Sequence, residues 1–160
     1  MGLTADLTDQ YRDELKLANP MFQSFGQKAS FSGPIHTVKV FEDNVLVKKA
    51  LETIPSGSVL VVDGGGSMRC ALMGDNLAAI AEKRELAGVI IFGCIRDSEE
   101  INGMNVGVRA ISTNPFKSIK KGEGETNIAL RFANVDWKPD AWAYADNDGI
   151  VLSDKELILD

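Results

Sequence analysis

The sequence predicts an α/β fold in which a parallel strand–helix–strand unit is followed by a β-rich half, and three observations carry that expectation. Residues 58–63 (SVLVVD) and 89–93 (VIIFG) are short apolar runs without polar alternation, as expected of strands buried on both faces of a parallel sheet. Between them Leu77, Ala78, Ile80, Ala81 and Leu86 recur at spacings of about 3.6 residues, which makes residues 75–86 a helix and the whole segment a right-handed parallel crossover. Beyond residue 105 the remaining regular stretches are strand-like and separated by Gly, Asn and Asp.

From the N-terminus, residues 4–17 open with a helix, since Thr4, Asp6 and Thr8 are all good capping types, and Asn19-Pro20 stops it. Residues 23–33 are rich in Gly and Ser and read as a loop. Pro34 introduces a strand over 35–40. Asp43 or Asn44 caps a helix with apolar positions Val45, Leu46, Val47, Ala50, Leu51 and Ile54, ended by Pro55-Ser56-Gly57. After the crossover unit, residues 98–104 form a short acidic helix or turn, and strands are expected over 106–112, 127–134, 141–145 and 149–152.

The 160 residues fit one domain, and with 44% hydrophobic and 25% charged residues they bury a core without disulfide or metal staples. A formal net charge of -6 argues against direct nucleic-acid binding, which normally shows as a basic excess. No apolar run is long enough to span a bilayer, and the polar, acidic first residues predict neither a signal nor a transit peptide. Cys70 and Cys94 sit in apolar surroundings and read as reduced, buried thiols of a cytoplasmic protein. The single His36 lies in a strand-like run, reads as structural, and leaves no His-rich metal site. Trp137 and Trp142 read first as core residues.

Ligands of open α/β sheets bind outside the carboxyl ends of the strands. Two such ends stand out, Asp63-Gly64-Gly65-Gly66-Ser67 and Gly93-Cys94-Ile95-Arg96-Asp97, and adjacent parallel strands would bring them to one edge. The glycine run is a poor nucleotide fingerprint, because Arg69 stands where a third glycine is needed and no Walker lysine follows; a tight turn explains it as well. Gly74-Asp75-Asn76-Leu77 begins the predicted helix, where open backbone N–H groups and the positive end of the helix dipole suit a carboxylate. Asp75 serves equally as a plain N-cap, which sequence alone favours. Arg96-Asp97 follows a buried strand directly: the guanidinium can grip a carboxylate or enolate oxygen and the carboxylate can ligate a hard cation, while a surface ion pair capping the next turn is the alternative.

These segments also carry a resemblance. The chain resembles the family of regulator of ribonuclease E activity A (RraA-like) and its relatives, the 4-hydroxy-4-methyl-2-oxoglutarate aldolases, in Phe22–Gly26 (FQSFG), residues 38–44 (VKVFEDN), residues 61–67 (VVDGGGS) and residues 144–150 (YADNDGI). The aldolase branch is marked by an Asp, twenty intervening residues and then Arg-Asp, which Asp75 and Arg96-Asp97 satisfy. The resemblance implies one swivelling β/β/α domain over residues 1–160, a homotrimer with sites at subunit interfaces, and class II aldolase chemistry on small 2-oxo acids. It implies that Asp97 holds Mg²⁺ or Mn²⁺, partly through water, and that Arg96 binds an oxo or carboxylate oxygen. Gly74, Asp75, Asn76 and Leu77 would then receive a carboxylate through backbone donors, with Asp75 near the metal waters. Cleavage of 4-hydroxy-4-methyl-2-oxoglutarate to two pyruvates and decarboxylation of oxaloacetate pass through the same pyruvate enolate, so one site would serve both. The family's rival role is a protein regulator that binds and inhibits ribonuclease E. A methyltransferase role, also attached to the family, would rest on the glycine run.

Overall fold

A computed structural model describes residues 2–160. The chain runs α1 (Leu3–Tyr11), a 3-10 turn (Arg12–Glu14), β1 (Lys16–Leu17), β2 (Gln23–Phe25), β3 (Phe31–Lys39), α2 (Val45–Thr53), β4 (Val59–Asp63), β5 (Ala71–Met73), α3 (Asp75–Lys83), β6 (Gly88–Ile95) and α4 (Ser98–Asn102). It continues through β7 (Val108–Thr113), β8 (Glu125–Thr126), β9 (Leu130–Phe132), β10 (Val135–Trp137), β11 (Trp142–Asp146) and β12 (Gly149–Ser153). Among the described residues ten strands form one mixed sheet in the order β1-β12-β11-β3-β4-β6-β7-β2, with β5 added to β6 and β8 to β3, while β9 and β10 pair separately.

The expected crossover is present: β4 and β6 pair in parallel, Val59 opposite Gly88 through Asp63 opposite Phe92, with α3 between them in sequence. β3 and β7 extend the parallel portion on either side. The apolar runs have the predicted cause. Leu60 and Val62 pack into a core with α2 and α3, whereas Val59 and Val61 face the opposite core with Phe132 and Trp137, so β4 is buried on both faces. At roughly 1.5–3 kcal/mol for each fully buried aliphatic side chain, that double burial fixes the strand's place at the centre of the sheet. Trp137 is wholly buried, stacks on Phe132 at 4.7 Å, and donates its indole N–H to the Phe132 carbonyl. Trp142 is half-buried against Tyr144.

Several expectations need correcting. Residues 23–33 are not one loop: β2 pairs with β7 and β3 already begins at Phe31. Pro34 lies inside β3, at the point where the strand leaves its antiparallel neighbour β11 (Pro34 opposite Trp142) and joins β4 in parallel (Ile35 opposite Val59). A residue without a backbone N–H is tolerated where a ladder changes partner. The first helix is shorter than expected, and its cap is none of the expected residues: the Asp146 carboxylate accepts the Thr4 backbone N–H at 2.8 Å and the Thr4 hydroxyl at 2.7 Å. β6 runs past Gly93 to Ile95, so its functional end lies further out than its apolar run indicates.

Candidate active site

The extension of β6 creates the site. Past Phe92, β5 becomes the parallel neighbour of β6, with Ala71 opposite Cys94, Met73 opposite Ile95, and a register shift between them. The chain leaves β5 through Gly74 directly into α3. The peptide joining Ile95 to Arg96 is held from both sides: its N–H donates to the Met73 carbonyl at 2.9 Å, and its carbonyl accepts the Asn114 N–H at 2.9 Å. The chain then turns sharply at Asp97, whose φ of 56° and ψ of 41° place it in the left-handed region. Aspartate is among the few side chains that enter that region at tolerable cost. The Asp97 carbonyl accepts the Ile101 N–H at 2.9 Å and so begins α4.

This turn aims the Asp97 carboxylate at the start of α3, where Oδ2 accepts the Asp75 N–H at 3.0 Å. Gly74, rather than Asp75, is the N-cap, and Asp75 is the first helical residue. The first intrahelical bond runs from the Ala78 N–H to the Gly74 carbonyl. Among the described residues no protein group accepts from the N–H of Asn76 or Leu77. Two helix-end donors therefore stay open beside the carboxylate, as an anion site requires. The approach is close: a Cβ on Gly74 would lie 2.6 Å from Asp97 Oδ2 and 3.3 Å and 3.4 Å from Arg96 Cγ and Nε. Arg96 and Asp97 are both half-buried. Arg96 forms no ion pair among the described residues; its Nη1 makes one long bond, 3.4 Å, to the Pro115 carbonyl. The guanidinium is thus free to receive an anion, and the surface-ion-pair alternative for Arg96 and Asp97 is not what forms.

The structure brings together Gly74, Asp75, Asn76, Leu77, Arg96 and Asp97; the glycine run lies at the same edge of the sheet, since β4 and β6 pair in parallel, but its donors are not available to a ligand. Gly64 and Gly66 both donate their N–H groups to the Phe92 carbonyl, at 3.0 and 3.1 Å, and Gly65 donates to Asp63 Oδ1 at 2.8 Å. The run leads into β5, not a helix, and a Cβ on Gly64 would meet the Phe92 carbonyl oxygen at 2.8 Å. It is a tight turn laid on β6 with its donors consumed internally, which a phosphate cradle cannot be. His36 sits on β3, away from Arg96 and Asp97 in the sheet. Cys70 and Cys94 are free and buried, and burial pushes both thiols upward in pKa. A 590 Å³ groove lies elsewhere, between the first strand region and the β9–β10 hairpin, lined by residues such as Lys16, Arg131 and Lys138.

The donor chemistry bears on a metal. Among the described residues no group of three or more His, Cys, Asp or Glu side chains is placed to hold an ion. One hard carboxylate with water-accessible surroundings does not fit a closed zinc-type cage. It fits an ion that keeps several waters and takes one or two carboxylates, as Mg²⁺ or Mn²⁺ does.

A guanidinium and a carboxylate thus stand at the carboxyl end of a parallel strand of an α/β protein, beside a helix start with open amides. The chain belongs to the RraA-like family, whose model, described as Aldolase/RraA, matches residues 4–152. A Bacillus anthracis protein provisionally named 4-hydroxy-4-methyl-2-oxoglutarate aldolase is 55% identical over 98% of this chain and 99% of its own length. An Arabidopsis thaliana protein with the same provisional name, numbered 3, is 51% identical over 90% of this chain and 87% of its own. A Geobacillus kaustophilus crystal structure described as an S-adenosylmethionine:2-dimethylmenaquinone methyltransferase superposes with a TM-score of 0.96 at 60% identity, covering 98% of this chain and 97% of that one. A Thermus structure described as the RNA-processing inhibitor RraA superposes with a TM-score of 0.94 at 41% identity, covering 99% and 96%.

Proposed function

We propose that this protein is a divalent-metal-dependent carbon–carbon lyase that cleaves 4-hydroxy-4-methyl-2-oxoglutarate to two pyruvates and decarboxylates oxaloacetate at the same site. The observation that carries the reading is the convergence of Asp97, Arg96 and the open N–H groups of Asn76 and Leu77 around Gly74. The names of the aldolase relatives point the same way. Asp97 would hold the metal, Mg²⁺ or Mn²⁺, partly through water, and Asp75, whose backbone N–H meets the Asp97 carboxylate, would stand near the metal waters. When bound, the metal supplies Lewis acidity toward a 2-oxo acid. Arg96 places fixed positive charge at the oxygen on which negative charge grows as the C–C bond breaks. The amides of α3 bind a substrate carboxylate and hold it in one orientation. No lysine is needed for covalent chemistry in this scheme.

Arg96 and Asp97 are half-buried, and Met68 and Phe116 are exposed. A homotrimer that covers them completes the proposed picture, with residues 1–160 as one domain in a cytoplasmic enzyme.

The test is pyruvate release from oxaloacetate and from 4-hydroxy-4-methyl-2-oxoglutarate, with Mg²⁺ or with chelator, for the wild type and Asp97→Ala. Turnover above the metal-only rate, lost with chelator and with the substitution, is expected. Turnover indifferent to both would overturn the site. A folded protein with no turnover on either substrate would favour the family's other role, binding ribonuclease E; the Thermus relative is described as an RNA-processing inhibitor.

A further inference from the structure

We infer that Asn114, outside every segment that carries the anion site, is the positioning residue that aims the Arg96 guanidinium; the inference rests on the lyase reading for its kinetic consequence. Asn114 follows β7, and three of its polar groups tie three separate segments to one point. Its backbone N–H donates to the Ile95 carbonyl at 2.9 Å, the carbonyl of the peptide that leads into Arg96. Its side-chain Nδ2 donates to the Met68 carbonyl at 2.7 Å, in the stretch before β5. Its Oδ1 accepts the Phe116 N–H at 2.8 Å, which closes a turn around Pro115. The same stretch is anchored again by the Ala71 N–H, which donates to the Phe116 carbonyl at 2.8 Å.

Pro115 is therefore held at its middle position with a fixed ring torsion and no N–H of its own, and its carbonyl direction follows from the turn that Asn114 closes. Among the described residues that carbonyl is the one protein acceptor of the Arg96 side chain. At 3.4 Å the bond is too long to lock the guanidinium, but it biases which way an otherwise unpaired arginine points. From the other side, Gly74 offers its bare Cα to the Arg96 side chain. The guanidinium thus lies between a surface shaped by the absence of a side chain at 74 and a carbonyl aimed by the amide at 114. A hydrophobic residue at 114 would keep the backbone bond to Ile95 and lose both side-chain ties. A loosened guanidinium loses part of the advantage of being in place before charge develops.

A double-mutant cycle on oxaloacetate decarboxylation tests this, using wild type, Asn114→Ala, Arg96→Lys and the pair, with thermal melts of each. Arg96→Lys alone should lower kcat/KM on the order of a hundredfold, because the planar fork is lost. Asn114→Ala should lower it roughly tenfold in the wild-type background and less than about twofold in the Arg96→Lys background, because it acts through Arg96. Independent, multiplying losses would overturn the inference while leaving the lyase reading intact. An Arg96→Lys variant with wild-type kcat/KM would overturn the inference together with the role of Arg96, whereas a folded wild type with no turnover would overturn the lyase reading. A readout free of catalysis accompanies the cycle: the ¹⁵Nε resonance of Arg96, identified by its loss in Arg96→Lys, should move toward the mobile-arginine position in Asn114→Ala. An unmoved resonance overturns the inference whatever the kinetics. If the alanine variant melts too low to assay, Asn114→Leu, which fills the same space but loses both side-chain ties, gives the same cycle.

Discussion

Alanine at position 74 tests the geometry of the site with a single methyl group. Gly74 has φ of -117° and ψ of -163°, extended backbone that alanine adopts freely, so the substitution carries no torsional penalty. It shrinks the unfolded ensemble and on that account stabilises by about 0.4–1 kcal/mol. The added Cβ would stand 2.6 Å from Asp97 Oδ2. Ordinary C···O contact is roughly 3.3 Å or more, so the carboxylate must retreat by at least about 0.7 Å, breaking its bond from the Asp75 N–H. Loss of that cap costs about 0.5–2 kcal/mol. The two contributions nearly cancel, and the melting temperature should change by no more than a few degrees, at about 2–4 °C per kcal/mol for a chain of this size. Activity has no such compensation. A misplacement near 1 Å in a catalytic group costs on the order of a hundredfold, so pyruvate release should fall between about tenfold and a hundredfold. The assay pairs that rate with a thermal melt of the same sample. Wild-type turnover in a folded Gly74→Ala protein would refute the claim that the Gly74–Asp97 approach matters.

Two further substitution sets separate chemistry from stability. Asp97→Asn should keep the fold within about 0.5 kcal/mol, because asparagine enters the left-handed region as readily as aspartate, whereas Asp97→Ala should cost about 1–2 kcal/mol; both should lose metal-dependent turnover, so equal melts for the two would contradict the strained turn. The carboxyl of Asp146 is pushed up by burial, but bonds from the Thr4 N–H and hydroxyl and from the Asp148 and Gly149 backbones outweigh that and hold its pKa below the ordinary carboxylate value. A depressed folded pKa gives stability that is present above the unfolded value and lost as pH falls through the folded one. Melting temperature should therefore fall below about pH 4. Asp146→Asn should flatten that acid limb, and an unchanged limb would remove Asp146 as its source.

What could be read from the sequence followed from whether a signal was local. The runs at 59–63 and 89–92 were legible because two buried faces impose continuous hydrophobicity. The end of β6 was not, because Gly93 looks like a terminator; a Cβ there would meet Leu72 Cδ1 at 3.2 Å, so it is a packing glycine inside a strand. β2 and the start of β3 were hidden by Gly and Ser, and their pairing with β7 and β11 is long-range. In the site, Arg96-Asp97 was legible as charge after an apolar run, and Gly74–Leu77 as a helix start. Their meeting was not: it depends on β5, three residues long, taking over as the neighbour of β6 through a register shift. Asn114 carried no sequence signal, since an Asn-Pro pair reads simply as a turn. A turn clamp was its structural role, and only the contacts with Ile95 and Met68 tie that turn to the arginine.

Its relatives are described as an aldolase, a methyltransferase and an RNA-processing inhibitor, so the site must decide between them. An adenosylmethionine site on the glycine run would need donors that Phe92 and Asp63 already occupy. A surface that only docks a protein has no use for a helix start left with open amides, or for a glycine whose place is dictated by proximity to a carboxylate. Positive φ alone does not decide, since Asp97 shares it with six other non-glycine residues among those described, but strain of this kind costs about 1–3 kcal/mol and survives where the surrounding structure holds it. At Asp97 the surrounding structure is two strands, two helix starts and one peptide clamped on both sides. What that framework positions is a single carboxylate beside a free guanidinium. Chemistry needs that pair held still; a docking surface would tolerate it loose.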